Sequence, residues 1–541
     1  MLFNSYEYIL VFLPVTVLVF LMLGRRSQSW ALGWLILASV IFYAYWRPFN
    51  LAIIGPSLAV NWLFARRLLA LAGDERRNAA RRLTLTLGIV FNVCLLGYFK
   101  YANFGVTVAN DLMGSNFVLH TIILPLGISF ITFQKIAFLI DVAGGRIKGF
   151  TLRDFLLFVM FFPQLIAGPI VHYDETMPQF HRATCRFDAM LYATGITLFA
   201  FGLFKKVVLA DGVAEHVTPV FAYAAAGGDA TMVQSWLAAV GFTLQIYFDF
   251  SGYSDMACGA ALLFGVRLPM NFYSPLKASS IIEFWLHWHI TLTRFLTAYI
   301  FNPITLALTR RRAMRRQKML SARFSDLGAF LQTLAFPTLT TMLISGLWHG
   351  AGYTFLVWGA LHGVYIVINH AWRQYGPRPA DPTGRSSRFA VGAGFVLTFL
   401  AVVVAMVIFR APTLASAGNI LAGMTGLNGF GLPEKIAGLI QMPGLGPMLL
   451  GEGAVDPVSF ATATAYVTGL LVIALLMPNS LQMLAAEVPA LHLPKTPGRI
   501  AGIGPVIAWR PNLRWMVFIA VIAAIAMIRL TGKSEFLYWQ F

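Results

Sequence analysis

The chain has 541 residues, 58% of them hydrophobic and only 11% charged, with a mean hydropathy of +0.71. Soluble domains carry about 25% charged residues, so the composition excludes a soluble fold and indicates a membrane protein. The formal charge of +18 is spread as basic clusters between apolar runs, the pattern of cytoplasmic loops, which explains it without nucleic-acid binding.

An apolar run at 8–23 opens the chain and, lacking a basic n-region and an A-x-A-like cleavage site, reads as a retained first helix. Arg25 and Arg26 behind it, the run from Arg66 to Arg82 and the group from Arg310 to Arg323 mark the cytoplasmic side. Phe161-Phe-Pro-Gln-Leu-Ile-Ala-Gly-Pro169 then breaks an apolar run with two prolines and a Gln. Broken backbone at membrane depth survives only where protein or a water-filled cavity covers it. Uncharged stretches at 230–248, 330–348, 351–371 and 389–409 reach the length of about 20 residues that crosses the hydrocarbon core as a helix. Hydropathy predicts about a dozen membrane segments in all. Three connections interrupt a single membrane domain over 1–541: the charged Ala72–Arg82, the basic Thr309–Ser325 and the Gly- and Pro-rich Pro412–Pro457, which has the residues for short interfacial helices.

Ionisable groups within such spans are costly and therefore candidates for function. Asp249 and Asp255, in Gln245-Ile-Tyr-Phe-Asp-Phe-Ser-Gly-Tyr-Ser-Asp255, suit a proton relay, a pair with a base such as Lys277, or bonds to the amides of a Ser-Gly turn. His289 lies in Glu283-Phe-Trp-Leu-His-Trp-His-Ile-Thr-Leu-Thr-Arg-Phe295, where helical spacing places Trp285 and Thr293 on its face and turns His287 elsewhere. His349 ends the uncharged run and precedes Gly350 and Gly352, with His362 and His370 in the next run. A neutral imidazole at such a place can take a proton from a hydroxyl attacking an acyl thioester, but on residue chemistry alone hydrogen-bonded packing is the favoured reading for each. The basic arm 309–318 between the two histidine segments orients the chain, touches anionic lipid, and suits the phosphates of a nucleotide-bearing acyl donor.

Other chemistries find no support. No serine sits in a G-x-S-x-G elbow and no G-x-x-x-x-G-K-[ST] loop is present, which disfavours a serine triad and an ATP-driven pump. Cys94, Cys185 and Cys258 form neither a disulfide framework nor a zinc pattern, and no metal is expected. A transporter or flippase, suggested by the buried aspartates and broken helices, and a scaffold for polymer export remain as different classes.

Five blocks in the chain resemble the membrane-bound O-acyltransferase family, in its bacterial branch of alginate O-acetyltransferases and teichoic-acid D-alanyl transfer proteins. They are Leu124-Pro-Leu-Gly-Ile-Ser-Phe130 with Thr132-Phe-Gln134, Phe162-Pro-Gln-Leu-Ile-Ala-Gly-Pro-Ile170, Gly202-Leu-Phe-Lys-Lys206, Gln245 to Met256, and Leu347-Trp-His-Gly350. The resemblance implies an all-α polytopic fold, a ring of tilted transmembrane and re-entrant helices around a central tunnel. It implies that His349 is the catalytic histidine and His289 the second one. It further implies a bacterial inner-membrane location, acetyl-CoA or another acyl-CoA as co-substrate with no tightly bound cofactor, and a polysaccharide acceptor reached through a periplasmic partner, or else a lipid or protein acceptor. The chain departs from the branch where Leu286 and His287 replace two arginines, and where Phe301-Asn-Pro-Ile304 and the basic arm replace an Ile-Pro-Leu-Gly-Gly turn.

Overall fold

Backbone in lipid must satisfy its own hydrogen bonds, and this chain does so with helices: no strand forms among the described residues, and one isolated bridge pairs Pro269 with Leu491. The structure, a computed structural model, describes residues 1–73, 75–119, 122–182, 185–320, 326–376, 385–431, 457–493 and 507–530.

Seven helices among these are long and apolar enough to cross a membrane: Glu7–Gly24, Asn78–Met113, Ala189–Ala225, Leu327–His349, Tyr353–Tyr375, Phe389–Arg410 and Val458–Leu476. The count is below the dozen expected from hydropathy because other apolar stretches fold as shorter pieces, such as Gln28–Ala44 and the single turn Phe162–Leu165. Leu10, Val11, Leu18 and Met22 are exposed on the first of these helices, an apolar outer face suited to lipid rather than water.

At the centre runs the 31-residue helix Met232–Leu262, buried along nearly all of its second half. It lies antiparallel against Ala189–Phe204, and glycines on both helices make the close approach possible. A Cβ on Gly252 would stand 2.7 Å from the Gly202 carbonyl oxygen, and one on Gly259 would stand 2.6 Å from that of Gly195. Small residues at such crossings are how membrane helices gain packing energy where no hydrophobic drive separates protein from lipid.

This contact also decides the fate of the two aspartates. The Ser-Gly stretch around them is continuous helix, not a turn, and neither carboxylate meets Lys277, whose ammonium donates to the Met477 carbonyl at 2.7 Å. Instead the neighbouring helix, which loosens into a π-helical segment at Lys205–Ala210, supplies two lysines. Lys206 pairs with both Asp249 and Asp211 at 2.6 Å, and Lys205 pairs with Asp255 at 2.6 Å.

The break at 161–169 is covered by protein, as its composition requires: Phe161 through Ile170 are buried. Its free backbone groups are met by side chains, the Phe162 amide donating to Ser39 Oγ at 3.1 Å and the Ile170 amide to Thr291 Oγ1 at 2.9 Å. Arg153 bonds Ser29 at 2.8 Å and Gln28 donates to the Phe180 carbonyl, so the start of the helix Gln28–Ala44 meets both Arg153 and the end of the helix Tyr173–Arg182. Of the Gly- and Pro-rich connection, Leu414–Met424 is a helix, while 432–456 lies outside the described residues. The basic arm begins as the helix Asn302–Met314; its residues 321–325 also lie outside them.

Candidate active site

His349 is the last residue of the helix Phe336–His349 and is 7% exposed. Helix ends leave carbonyls without partners, and here a distant segment meets them. Lys100 donates to the carbonyls of Trp348 and His349, and Tyr101 donates to that of Leu347 at 2.7 Å. Both come from the π-helical segment Gly97–Tyr101, whose widened turn follows the helix Asn78–Leu96. A cation on helix-terminal carbonyls also complements the negative end of the helix dipole. Gly350 leaves the helix in extended conformation, and a Cβ there would run into the Phe355 ring unless that ring moved.

His289 is 0% exposed, and the structure corrects its expected setting. Glu283 to Phe295 is not one helix: Ile281–His287 ends, His289 takes a left-handed φ of 43°, and Ile290–Leu296 begins. Trp285 and Thr293 therefore do not share a helical face with it. Such a backbone conformation is strained for a side chain bearing a Cβ and persists only where surroundings impose it. They do so through Asn271, whose carbonyl accepts from the Ile290 amide at 2.9 Å and whose side-chain oxygen accepts from Thr291 Oγ1 at 2.8 Å. The Tyr273 amide holds the other side of the break through the His287 carbonyl at 3.0 Å.

The break brings the two histidines together, with ring centroids 6.1 Å apart. Aromatic rings wall them in: Trp348 lies 5.8 Å from His289, Phe250 lies 4.7 Å from His289, and Trp358 and Phe409 lie 5.1 and 5.5 Å from His349. Both ring nitrogens of His289 lack a hydrogen-bond partner among the described residues. A buried polar atom without a partner costs about 1–3 kcal/mol, so such a group suits a polar ligand rather than a packing role.

Of the other histidines, His362 is 0% exposed and joins the same aromatic wall, whereas His287 is only partly buried and faces Tyr273. His370 lines a separate cavity of about 230 Å³ with Trp285, Leu286, Thr293 and Met342. Leu286 gives that cavity an apolar wall. Arg312 of the basic arm is buried against Asp326 at 2.9 Å and Gln332, so at least this arginine serves the fold. No cluster of metal-ligating side chains occurs among the described residues.

Lys100, Tyr101 and Asn271 are the residues that sequence reasoning missed. Each acts on backbone far away in the chain, and only Lys100, a lone cation closing an apolar run, carried any signal.

Residues 84–321 match the family described as MBOAT, membrane-bound O-acyltransferase family. The chain is 37% identical to the peptidoglycan O-acetyltransferase of Helicobacter pylori over 80% of its own length and 81% of that protein. It is 35% identical to the probable alginate O-acetylase AlgI of Pseudomonas aeruginosa over all of both chains. Similarity to the teichoic acid D-alanyltransferase of Streptococcus thermophilus is 25% identity over 52% of this chain and 68% of that one.

Proposed function

The chain belongs to the membrane-bound O-acyltransferase family, and on that premise we propose that it moves an acetyl group from cytoplasmic acetyl-CoA to a hydroxyl of an extracytoplasmic polysaccharide. The membrane is the bacterial inner membrane, and a periplasmic partner completes delivery to the sugar. Relatives named for alginate and for peptidoglycan support a polymer acceptor, because both are carbohydrate polymers bearing free hydroxyls.

The observation that carries the reading is the pair of deep histidines 6.1 Å apart, surrounded by aromatic rings. In the proposed step, His349 takes the proton of the acceptor hydroxyl as its oxygen bonds to the thioester carbonyl carbon. The tetrahedral intermediate then collapses, the C–S bond breaks, and the thiol leaves with the proton from the imidazolium. His289 lines the path and holds the acceptor or donor in position. Acyl-CoA is a co-substrate here, not a resident group, and the basic arm attracts its phosphates.

Membranes containing the chain, supplied with acetyl-labelled acetyl-CoA, test this. Label should appear in cell-surface polysaccharide as ester cleaved by mild base, and membranes lacking the chain should show none. Label confined to lipid or protein would overturn the acceptor assignment.

A further inference from the structure

His362 stands in mid-helix in Tyr353–Tyr375, 0% exposed, and belongs to neither role assigned above. Its Nδ1 lies 3.3 Å from the Trp285 indole nitrogen. An indole N–H only donates, so Nδ1 must be the accepting nitrogen and the proton of the neutral ring must sit on Nε2. That Nε2–H has no partner among the described residues. The ring packs 4.8 Å from Trp358, which in turn packs 5.1 Å from His349. The indole nitrogens of Trp358 and Trp348 likewise lack partners there. Around the candidate base His349 there thus stand several buried N–H donors without an acceptor among the described residues.

Acyl transfer needs donors of this kind. As the hydroxyl oxygen adds to the thioester, the carbonyl π electrons move onto oxygen, and fixed N–H groups in a dry site stabilise that charge more than water does. Trp285 makes His362 such a fixed donor by excluding the other tautomer.

We propose that His362 is a further catalytic residue, donating its Nε2–H to the acyl carbonyl oxygen during transfer, with Trp285 as the positioning residue that sets its tautomer. This rests on the reading of His349 as base. The donated hydrogen bond neither makes nor breaks a covalent bond, so the balance of the transfer is unchanged.

The test follows thiol release from acetyl-CoA, as a function of its concentration, in membranes carrying the full chain at matched levels of folded protein. His362→Phe, which keeps the ring but removes the donor, should lower kcat by about 10²–10³ with little change in KM for acetyl-CoA. His362→Gln, which restores an N–H, should recover part of that loss. Trp285→Phe, which frees the tautomer, should lower kcat by a smaller factor. Full kcat in His362→Phe, or equal losses in the Phe and Gln variants, would overturn the proposal. His349→Ala run alongside separates the two ideas. If it is inactive while His362→Phe is fully active, the donor role falls and the base stands; if it is itself fully active, the base reading falls first and takes the donor role with it.

Discussion

The rings of His289 and His349 lie 6.1 Å apart although sixty residues, including the whole basic arm, separate them in the chain. Neither position is set by its own helix alone. Asn271 imposes the break that turns His289 inward, and Lys100 with Tyr101 holds the helix end that carries His349.

Lys100→Met should therefore impair the enzyme without touching substrate. Losing a charged donor on two carbonyls costs about 1.5–3 kcal/mol of local order at the His349 turn. Thiol release at saturating acetyl-CoA should fall at least about tenfold, and Lys100→Arg should keep much of it. Wild-type kcat in Lys100→Met would show that the turn needs no such hold.

The Lys206 ammonium serves two carboxylates at 2.6 Å, and its side chain is 1% exposed. Lys206→Met leaves the buried Asp249 carboxylate without its cation and removes one partner of the partly buried Asp211, and should cost about 3–5 kcal/mol, seen as loss of folded protein in detergent extracts. Asp211→Asn, which leaves the Lys206–Asp249 pair intact, should cost clearly less. Equal losses would contradict this ordering.

How far the sequence revealed these features depended on range. The interruption at 161–169 was legible because prolines and Gln stand in an apolar run, and the all-helical membrane class followed from hydropathy. The break at His289 was not, since Glu283 to Phe295 contains no Gly or Pro and keeps helical spacing; its cause is Asn271, on another segment. For Asp249 and Asp255 the turn amides and Lys277 were both open readings, and Lys205 and Lys206 were not among them, because nothing local distinguishes these lysines from Lys277. His362 could be named as a candidate, but the Trp285 bond that fixes its tautomer exists only in three dimensions.

The packing of the central helix offers a direct check. A Cβ on Gly252 would meet backbone 2.7 Å away, while one on Gly105 would meet nothing within 4 Å. Gly252→Ala should reduce the yield of folded protein, whereas Gly105→Ala, on the helix Ala102–Met113, should be neutral or gain up to about 1 kcal/mol from helix propensity. Comparable yields would contradict the close approach.

Stability should also respond to acid. Glu175 is half-buried between Arg294 and His492, whose Nε2 is 2.9 Å away. Burial pushes its carboxyl upward, but the Arg294 guanidinium, bonded to it and opposite in charge, together with His492 and His172, holds it below its ordinary value. A carboxylate lowered in the folded state contributes stability that is complete above its unfolded value and lost as pH falls through the folded one. The melting temperature should thus decline below about pH 5, and Glu175→Gln should start lower at neutral pH and decline less. Parallel declines in both proteins would remove Glu175 from the account.

The most direct measurement concerns His349 itself. With His349→Ala at wild-type levels of folded protein, base-labile acetate transferred from acetyl-CoA to cell-surface polysaccharide should fall by about 10²–10⁴, the contribution of a general base. Undiminished transfer would contradict the assignment of His349 as the base.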